Sequence, residues 1–318
     1  MSVKVKINMD TIKKLAKYAG KILSILAIAF IVYAIYKLGL DFSSVTDWPT
    51  FILVMFLGVV IKTATVFIMG AGWMGWLSML AGRVSLNRKQ GMIAYVKANI
   101  GKYLPGNVMH YVERNLFAAN LGIKQSRLAL GSVLEVISLI LSAILLAVGM
   151  SFRNVILTFQ ELFAYTYIKI IFAAAVIIVI VAAILVRKKA MALIAEFGYA
   201  NFFKTLLLAL LRYILVLAGL GMIMVILYAY MGGVGLTLSA ACTILSGYAL
   251  AWVLGFVVPG APGGIGIREL VVTLLLAPVV GEELILTLSV IHRLITIIGD
   301  FAAYLIGLLL KRGVKEDA

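Results

Sequence analysis

The sequence predicts an all-α polytopic membrane protein with six full transmembrane helices and two re-entrant helical hairpins, arranged as an inverted repeat. Three features predict this fold class: the apolar composition, the placement of the positive charges, and two Pro-Gly interruptions at equivalent places in the two halves of the chain. Of the 318 residues, 64% are hydrophobic and 13% are charged, and the mean hydropathy is +1.13. Soluble domains are far less apolar, so we expect the bilayer to be the solvent and no separate soluble domain.

Long apolar runs indicate where the chain crosses the membrane. About 20 apolar residues are enough to span the hydrocarbon core. The runs that we assign to full spans are 22–40, 51–76, 128–150, 168–186, 205–230 and 284–310. The basic residues before the first run suggest a signal peptide, but no small-residue cleavage site follows, so we expect a retained span. A further apolar run, 238–258, leads into the second of two interrupted segments, 101–107 and 258–269.

The positive charges indicate the topology. Most of the 28 lysines and arginines lie in 1–21, 81–127, 187–204 and 311–318, whereas 41–50, 231–237 and 281–283 contain none. Loops rich in Lys and Arg face the cytoplasm, so we expect both termini there and the chain in the plasma membrane. Basic loops and loops without Lys or Arg then alternate along the chain only if each interrupted segment enters and leaves the membrane on the same side. The first hairpin then opens to the cytoplasm and the second to the outside.

An internal duplication follows from this topology. Shifting the chain by 154 residues places Pro105 on Pro259, and the spans of the first half then fall on spans of the second. We therefore divide the chain into a first repeat, 1–155, and a second repeat, 156–318, each with two spans, a hairpin and one more span. Three crossings per half would insert the second repeat upside down. Such inverted repeats with broken helices are typical of secondary transporters, whose substrate site lies near the midplane.

The two breaks are the expected binding site. A Pro-Gly break at membrane depth is tolerated only where it is buried in protein or lines a wet cavity, and each break is followed by adjacent opposite charges. The glycines allow close approach of the backbone, and a helix beginning near Ile267 would aim N–H groups at an anion. Plain helix breaking and mutually neutralised charge pairs are the alternatives. The expected substrate-binding residues are Lys102, Tyr103, Pro105, Gly106, Asn107, Glu113, Arg114 and Glu135, with Pro259, Gly260, Pro262, Gly263, Gly264, Gly266, Arg268, Glu269, His292 and Arg293.

Ionisable residues inside spans suggest a role or a partner, because burying a charge in the bilayer is costly. The repeat places Glu135 and Arg293 on equivalent spans, so we expect them to pair. Glu135, His292 and Asp300 are the candidates for proton coupling. For His292 the alternative is a hydrogen-bonded packing residue. For Lys62 and Arg212 the alternative is that the side chain snorkels to the membrane surface or forms a structural ion pair.

No catalytic residue, cofactor or metal is expected. The sequence contains no nucleotide-binding, metalloprotease or nucleophile-elbow motif. Cys242 is the only cysteine, and His110 and His292 lie far apart in sequence, which is no pattern for a metal site.

The segments 102–107 (KYLPGN) and 262–269 (PGGIGIRE), together with Arg114, Glu135 and Arg293, are similar to a known family. The chain resembles the lysylphosphatidylglycerol synthase transmembrane family, the flippase portion of the bacterial multiple peptide resistance factor, over essentially its whole length. Many relatives have an arginine after the glutamate, where this chain has Val136. The resemblance implies movement between leaflets of a lipid, usually one with a modified or glycosylated headgroup. Synthase activity is not expected from these residues.

From the residues and the resemblance together we expect a lipid flippase or scramblase, not an enzyme. The cations around the breaks favour a phosphate-bearing headgroup, because arginine suits bidentate recognition of phosphate. A small-solute secondary transporter and a membrane glycosyltransferase are the alternatives. The expected partners are a lipid with an anionic headgroup and the anionic lipids of the membrane. A homodimer is compatible with the sequence, and no nucleic acid is expected.

Overall fold

The computed structural model describes residues 45, 47–82, 86–103, 109–118, 122–153, 155–156, 160, 191–192, 194–232, 235–257 and 267–312, and these residues form helices and no strands. The helices are α1 (Trp48–Ala81), α2 (Arg88–Ala98), a 3₁₀ helix (Asn99–Tyr103), α3 (Met109–Ala118), α4 (Gln125–Met150), α5 (Tyr199–Met231), α6 (Leu238–Val257), α7 (Ile267–Val280) and α8 (Glu282–Arg312). The predicted spans 22–40 and 168–186 lie outside the described residues, as do the tips of both predicted hairpins at 104–108 and 258–266.

Five of these helices, α1, α4, α5, α6 and α8, are long and apolar enough to cross a membrane. The protein is therefore an all-helical, multi-pass membrane protein, as the composition predicts. Four of the five cover the predicted spans 51–76, 128–150, 205–230 and 284–310. The fifth, α6, is the apolar run that the sequence assigned to the first arm of the second hairpin. The count of six full spans stays a prediction.

Helices α1 and α5 make the most extensive contact among the described helices, and we call them the central helices. Trp76 and Leu80 of α1 and Tyr213 and Leu217 of α5 are all completely buried. The close approach depends on Gly72, because a Cβ at this position would lie 2.5 Å from the Tyr213 ring and hydroxyl. Large apolar side chains on the outer faces of the helices are instead exposed, among them Phe56, Leu215 and Phe301. An apolar exterior is what the bilayer requires of a membrane protein.

The start of α1 is fixed by a side-chain cap. The carboxylate of Asp47 accepts hydrogen bonds from the N–H and the hydroxyl of Thr50, at 3.2 and 2.5 Å. These bonds lower the pKa of Asp47. Pro49 follows in the first turn, where its missing N–H costs no helical hydrogen bond. At the same end, the hydroxyl of Tyr230 at the close of α5 donates to the carbonyl of Asp47 at 2.7 Å, which ties the two central helices together.

Two helical pairs flank the central helices. We call α2, the 3₁₀ helix and α3 the first hairpin, and α6 with α7 the second hairpin. In the first hairpin α2 packs on α3, and in the second α6 packs on α7. Each hairpin also packs on a helix of the other half of the chain: α2 contacts α8, and α6 contacts α4. Each central helix also contacts the last helix of the other half: α1 contacts α8, and α5 contacts α4. The halves are therefore interlocked rather than side by side.

The arms of the hairpins differ in length. Helices α2, α3 and α7 contain 11, 10 and 14 residues. At 1.5 Å per residue they are about 15–21 Å long, too short to cross a hydrocarbon core of about 30 Å. Helix α6, with 20 residues, is long enough.

Candidate functional site

A buried carboxylate on α8 collects polar groups from the first half of the chain. Asp300 is 1% exposed and lies 2.9 Å from the ammonium of Lys62 and 2.6 Å from that of Lys102. The amide of Asn99 and the hydroxyl of Tyr103 donate to its two oxygens at 2.7 and 2.6 Å. Three of these four donors belong to the first hairpin. Asp300 therefore fastens that hairpin and α1 to the last helix.

A second buried ion pair lies within the first half. The guanidinium of Arg114 on α3 is 2.6 Å from the carboxylate of Glu135 on α4, and both side chains are at most 2% exposed. The hydroxyl of Tyr95 also donates to Glu135, at 2.8 Å. The rings of Trp73, Tyr95 and Tyr111 all lie within 5.0 Å of the Arg114 guanidinium carbon. Arg114 is thus enclosed by aromatic rings and one carboxylate, in a setting that holds α3 against α4 and α1.

The expected pairing of Glu135 with Arg293 is wrong. Glu135 pairs with Arg114, and the guanidinium of Arg293 lies 3.2 Å from the carboxylate of Glu269 on α7. The physical reason is proximity: α4 packs on α3 and α6, whereas α8 packs on α7. Equivalent positions in a repeat need not be neighbours.

His292 has the contacts of a packing residue. Its Nε2 lies 3.0 Å from the carbonyl of Leu220, and since a carbonyl only accepts, Nε2 carries the proton. The ring also packs on Tyr248, with centroids 4.8 Å apart. Both contacts join α8 to the core helices α5 and α6. They favour the packing interpretation of His292 over proton coupling.

A cavity of about 90 Å³ lies where the two hairpins meet α1 and α8. Because about 10–15 Å³ suffices for one water molecule, the cavity has room for several waters or for a group of phosphate size, but not for lipid tails. Four cationic side chains line it, from four different elements: Lys62 of α1, Lys102 of the first hairpin, Arg268 of the second hairpin and Arg293 of α8. Among the described residues, the carboxylate in its wall is that of Asp300.

Aromatic side chains complete the walls. Tyr103 enters from the first hairpin, and Tyr248, Trp252 and Phe256 enter from α6. The rings of Trp252 and Phe256 are stacked, with an interplanar angle of 3°. Gly255 lies on the same helix, and a Cβ there would come within 3.2 Å of the Arg268 side chain. The absence of a side chain at 255 thus allows α6 to approach the first turn of α7, where Arg268 lies.

Part of the predicted substrate site lines this cavity and part does not. Lys102, Tyr103, Arg268 and Arg293 line it; Glu113, Arg114, Glu135, Glu269 and His292 do not. Pro105, Gly106, Asn107, Pro259, Gly260, Pro262, Gly263, Gly264 and Gly266 lie outside the described residues. Among the proton-coupling candidates, Asp300 alone lines the cavity.

Sequence reasoning did not assign Lys62 or Asn99 to the site. Lys62 was interpreted as snorkelling or structural, and it forms a structural pair that also lines the cavity. Asn99 was not singled out; its position two residues before the first interrupted segment, 101–107, is the signal that could have identified it. Arg212 lies elsewhere, with its guanidinium 3.2 Å from where a Cβ of Gly75 would be.

No protein-family model, no curated protein and no solved structure matches the chain.

Proposed function

We propose that this protein is a lipid flippase or scramblase that moves a phosphate-bearing lipid between the leaflets of the plasma membrane, without enzymatic chemistry. The observation that carries the proposal is the cavity whose cations come from both hairpins, with Lys102 in one and Arg268 in the other. An arginine and a lysine that converge on one cavity favour an anionic headgroup. The small volume implies that the acyl or prenyl tails stay in the surrounding bilayer.

The packing of the helices supports the inverted repeat on which an alternating-access mechanism depends. Under the predicted correspondence, α1, α2, α3 and α4 match α5, α6, α7 and α8. Each main contact then has a counterpart: α2 with α8 matches α6 with α4, and α1 with α8 matches α5 with α4. A two-fold relation between the halves produces this exchange. The short arms α2, α3 and α7 support hairpins that return to the side from which they enter.

This architecture suggests how a headgroup crosses the membrane. Proteins with such repeats expose a fixed site first to one side and then to the other, as one repeat rocks against the other. Here the first hairpin would gate the cytoplasmic side and the second hairpin the outer side, with both termini in the cytoplasm. The resemblance to the lysylphosphatidylglycerol synthase transmembrane family, in the segments 102–107 and 262–269, supports the same function.

A small-solute transporter is the second candidate, and one observation favours it: a cavity of about 90 Å³ also suits a water-soluble anion of phosphate size. The two functions differ in whether the transported group remains attached to a tail in the bilayer.

Transport in liposomes that contain only this protein tests the proposal. Fluorescent phosphatidylglycerol, aminoacylated phosphatidylglycerol and a polyprenyl phosphate are each followed between leaflets by a membrane-impermeant quencher. We expect faster exchange of at least one phosphate-bearing lipid, and a loss of about tenfold or more in Arg268→Ala, since a charged hydrogen bond contributes about 1.5–3 kcal/mol. Arg127→Ala is the matched control, because Arg127 is a partly exposed cation that pairs with Glu196 and donates to the carbonyl of Leu80, and it does not line the cavity.

Two outcomes would contradict the proposal. If no lipid exchanges faster than in empty liposomes, the protein is not a flippase under these conditions, and uptake of phosphate into the same liposomes would then favour the second candidate. If Arg268→Ala and Arg127→Ala slow exchange equally, the cavity is not the route.

A further inference from the structure

His110 is an ionisable residue of the cavity wall that the proposed function does not use. It lies in the first turn of α3 and lines the cavity. Its Nδ1 is buried and has no hydrogen-bond partner among the residues that the structure describes. A buried polar atom without a partner is destabilising, and native proteins contain few of them. Nδ1 therefore needs a water molecule or a ligand.

The position of His110 is set by close packing. Its ring lies on that of Tyr111, with centroids 3.9 Å apart. In the 3₁₀ helix, a Cβ at Gly101 would be only 3.1 Å from the backbone nitrogen and Cα of His110. The absence of a side chain at 101 thus allows the 3₁₀ helix to contact the start of α3. Lys102, the next residue, lines the same cavity, so an anion bound by Lys102 would also be near the imidazole.

The proton-coupling candidates from the sequence are already engaged with other groups. Nε2 of His292 donates to a backbone carbonyl. The carboxylate of Asp300 is held by two ammonium groups, an amide and a phenolic hydroxyl, all within 2.9 Å. Glu135 is paired with Arg114 and does not line the cavity. His110 combines a side chain that titrates near neutral pH with a nitrogen that no described residue engages.

Several charged and titratable groups surround His110. Those on its own helix and on the elements that pack against α3 are Tyr111, Glu113 and Arg114 of α3, Tyr95 of α2, Lys102 and Tyr103 of the 3₁₀ helix, and Glu135 of α4. Lys62, Arg268, Arg293 and Asp300 line the same cavity. Glu113 is the group that could titrate in place of His110, because it lies one turn further along α3 and its carboxylate is beside Gly101.

An anion in the cavity changes the balance between the neutral and the charged ring. Burial disfavours the charged form, as do the cations Arg114 and Lys102, whereas the carboxylate of Asp300 favours it. A neutral imidazole has one donor and one acceptor nitrogen, but an imidazolium has two donors. A phosphate oxygen is negatively charged and accepts hydrogen bonds, so its arrival favours the imidazolium. By linkage, the proton must then strengthen binding of the anion by the same factor.

We propose that His110 takes up a proton when a phosphate-type oxyanion enters the cavity, so that the proton and the anion bind together. The proton comes from water and is held by the imidazole, and no bond of the anion is made or broken. This inference rests on the proposed function in one respect. If the anion is a lipid headgroup that crosses the membrane, a proton crosses with it, and a pH gradient can drive the transport.

Ligands of constant charge test the inference. The purified protein, in an uncharged detergent and without a polyhistidine tag, is titrated between pH 5 and 8 with dihexanoyl phosphatidylglycerol and with dimethyl phosphate. Both are phosphodiesters that keep one negative charge over this range, so any pH dependence belongs to the protein. Calorimetry in buffers of different ionisation enthalpy measures the protons taken up. We expect affinity to rise as the pH falls, by up to about tenfold per pH unit, with at most one proton taken up per ligand.

Three variants assign the proton. His110→Asn retains a polar group close to the position of Nδ1 but cannot be protonated, so the pH dependence should disappear. His292→Gln is the matched control: it removes the other histidine of the chain and can still donate to the Leu220 carbonyl, so the dependence should remain. Glu113→Gln should retain it as well. Dependence that persists in His110→Asn and disappears in Glu113→Gln would overturn the assignment to His110.

Nitrogen NMR gives a direct measurement that does not require a variant of His110. In His292→Gln, His110 is the only histidine left, and its ring-nitrogen shifts distinguish the imidazolium from either neutral tautomer. We expect a neutral ring without ligand and an imidazolium with dihexanoyl phosphatidylglycerol. A ring that stays neutral in the bound state would overturn the inference even if His110→Asn does not fold.

The remaining results separate the inference from the proposed function. Affinity that does not change between pH 5 and 8, with no proton uptake, would overturn the inference alone. If dimethyl phosphate binds as tightly as the lipid, the lipid source is overturned while proton uptake by His110 stands. Proton uptake combined with no lipid exchange in liposomes would overturn the proposed function alone. Failure of both phosphodiesters to bind would overturn both.

Discussion

Lys102 and Asp300 are joined by an ion pair of 2.6 Å between the first hairpin and the last helix. Lys62 completes the contact from α1. Three elements distant in sequence thus meet at one carboxylate, which is completely enclosed by them. The stability of the hairpin and the electrostatics of the cavity both depend on this residue.

Asp300→Asn should destabilise the protein markedly. The substitution removes the negative charge that two lysines share, and stranding a buried charge costs about 3–5 kcal/mol. We expect a lower melting temperature and faster hydrogen exchange in Asn99–Tyr103. Glu196→Gln, at the exposed pair with Arg127, is the control and should cost at most about 1 kcal/mol. Equal melting temperatures for the two variants would show that Asp300 is not a structural centre.

Arg114→Ala should also lower stability, and for a structural reason. Its loss strands Glu135, which is 1% exposed, at a cost of about 3–5 kcal/mol. The double variant Arg114→Met/Glu135→Gln removes both charges and retains an acceptor for the Tyr95 hydroxyl, so it should recover most of the melting temperature. A double variant no more stable than Arg114→Ala would argue against the pair. Sequence reasoning had assigned Arg114 to the substrate, which predicts lost transport with unchanged stability.

Gly72→Ala tests the contact between the central helices. The new methyl group would meet the Tyr213 ring at 2.5 Å, and overpacking a buried contact costs about 1–3 kcal/mol. Gly149→Ala is the matched control, because a Cβ at position 149 meets nothing within 4 Å. The control should be neutral or slightly stabilising. The melting temperatures of both variants are measured in the same detergent. Similar melting temperatures would contradict a close contact between Gly72 and Tyr213.

Cysteine labelling tests the predicted topology. With Cys242→Ser as the background, single cysteines at the exposed positions Asn87 and Gln125 should react with an impermeant reagent only after permeabilisation. Those at Leu236 and Glu282 should react in intact cells. These positions flank the first and second hairpins, so each pair should agree internally. Labelling at Asn87 in intact cells would contradict both the topology and the inverted repeat.

A cysteine near the end of α6 separates a re-entrant arm from a full span. In the same background, a cysteine at Leu254, which does not line the cavity, should be inaccessible to an impermeant reagent from the cytoplasm if α6 ends within the membrane. Reaction from the cytoplasmic side would instead make α6 a complete crossing, which its length of 20 residues permits.

The sequence was sufficient to predict the elements whose signal is local. Apolar runs of about 20 residues predicted α1, α4, α5 and α8 within a few residues, because crossing the hydrocarbon core sets a minimum length. Four residues of the site were found because they adjoin the breaks or lie inside a span, where a charge is costly and therefore indicates a function or a partner. They are Lys102, Tyr103, Arg268 and Arg293.

The partners of those charges were not predictable in the same way. The sequence identified all four members of the two ion pairs, Glu135, Arg114, Arg293 and Glu269. Which of them pair depends on which helices are neighbours, and hydropathy contains no information about that. Asp300 was recognised as an intramembrane acid, yet its contact with Lys102 joins residues on opposite sides of the repeat boundary. Such pairs follow from the three-dimensional exchange of contacts between the halves and not from spacing along the chain.

The packing of each hairpin on the other half also determines when the protein can finish folding. The ribosome makes α1 and the first hairpin long before α8, so Lys62 and Lys102 are synthesised before the carboxylate of Asp300. The first hairpin therefore cannot form its contacts with Asp300 until α8 has been inserted. Contacts between residues so distant in sequence form slowly. Assembly of the cavity is thus a late event in biogenesis, completed by the final helix of the described chain.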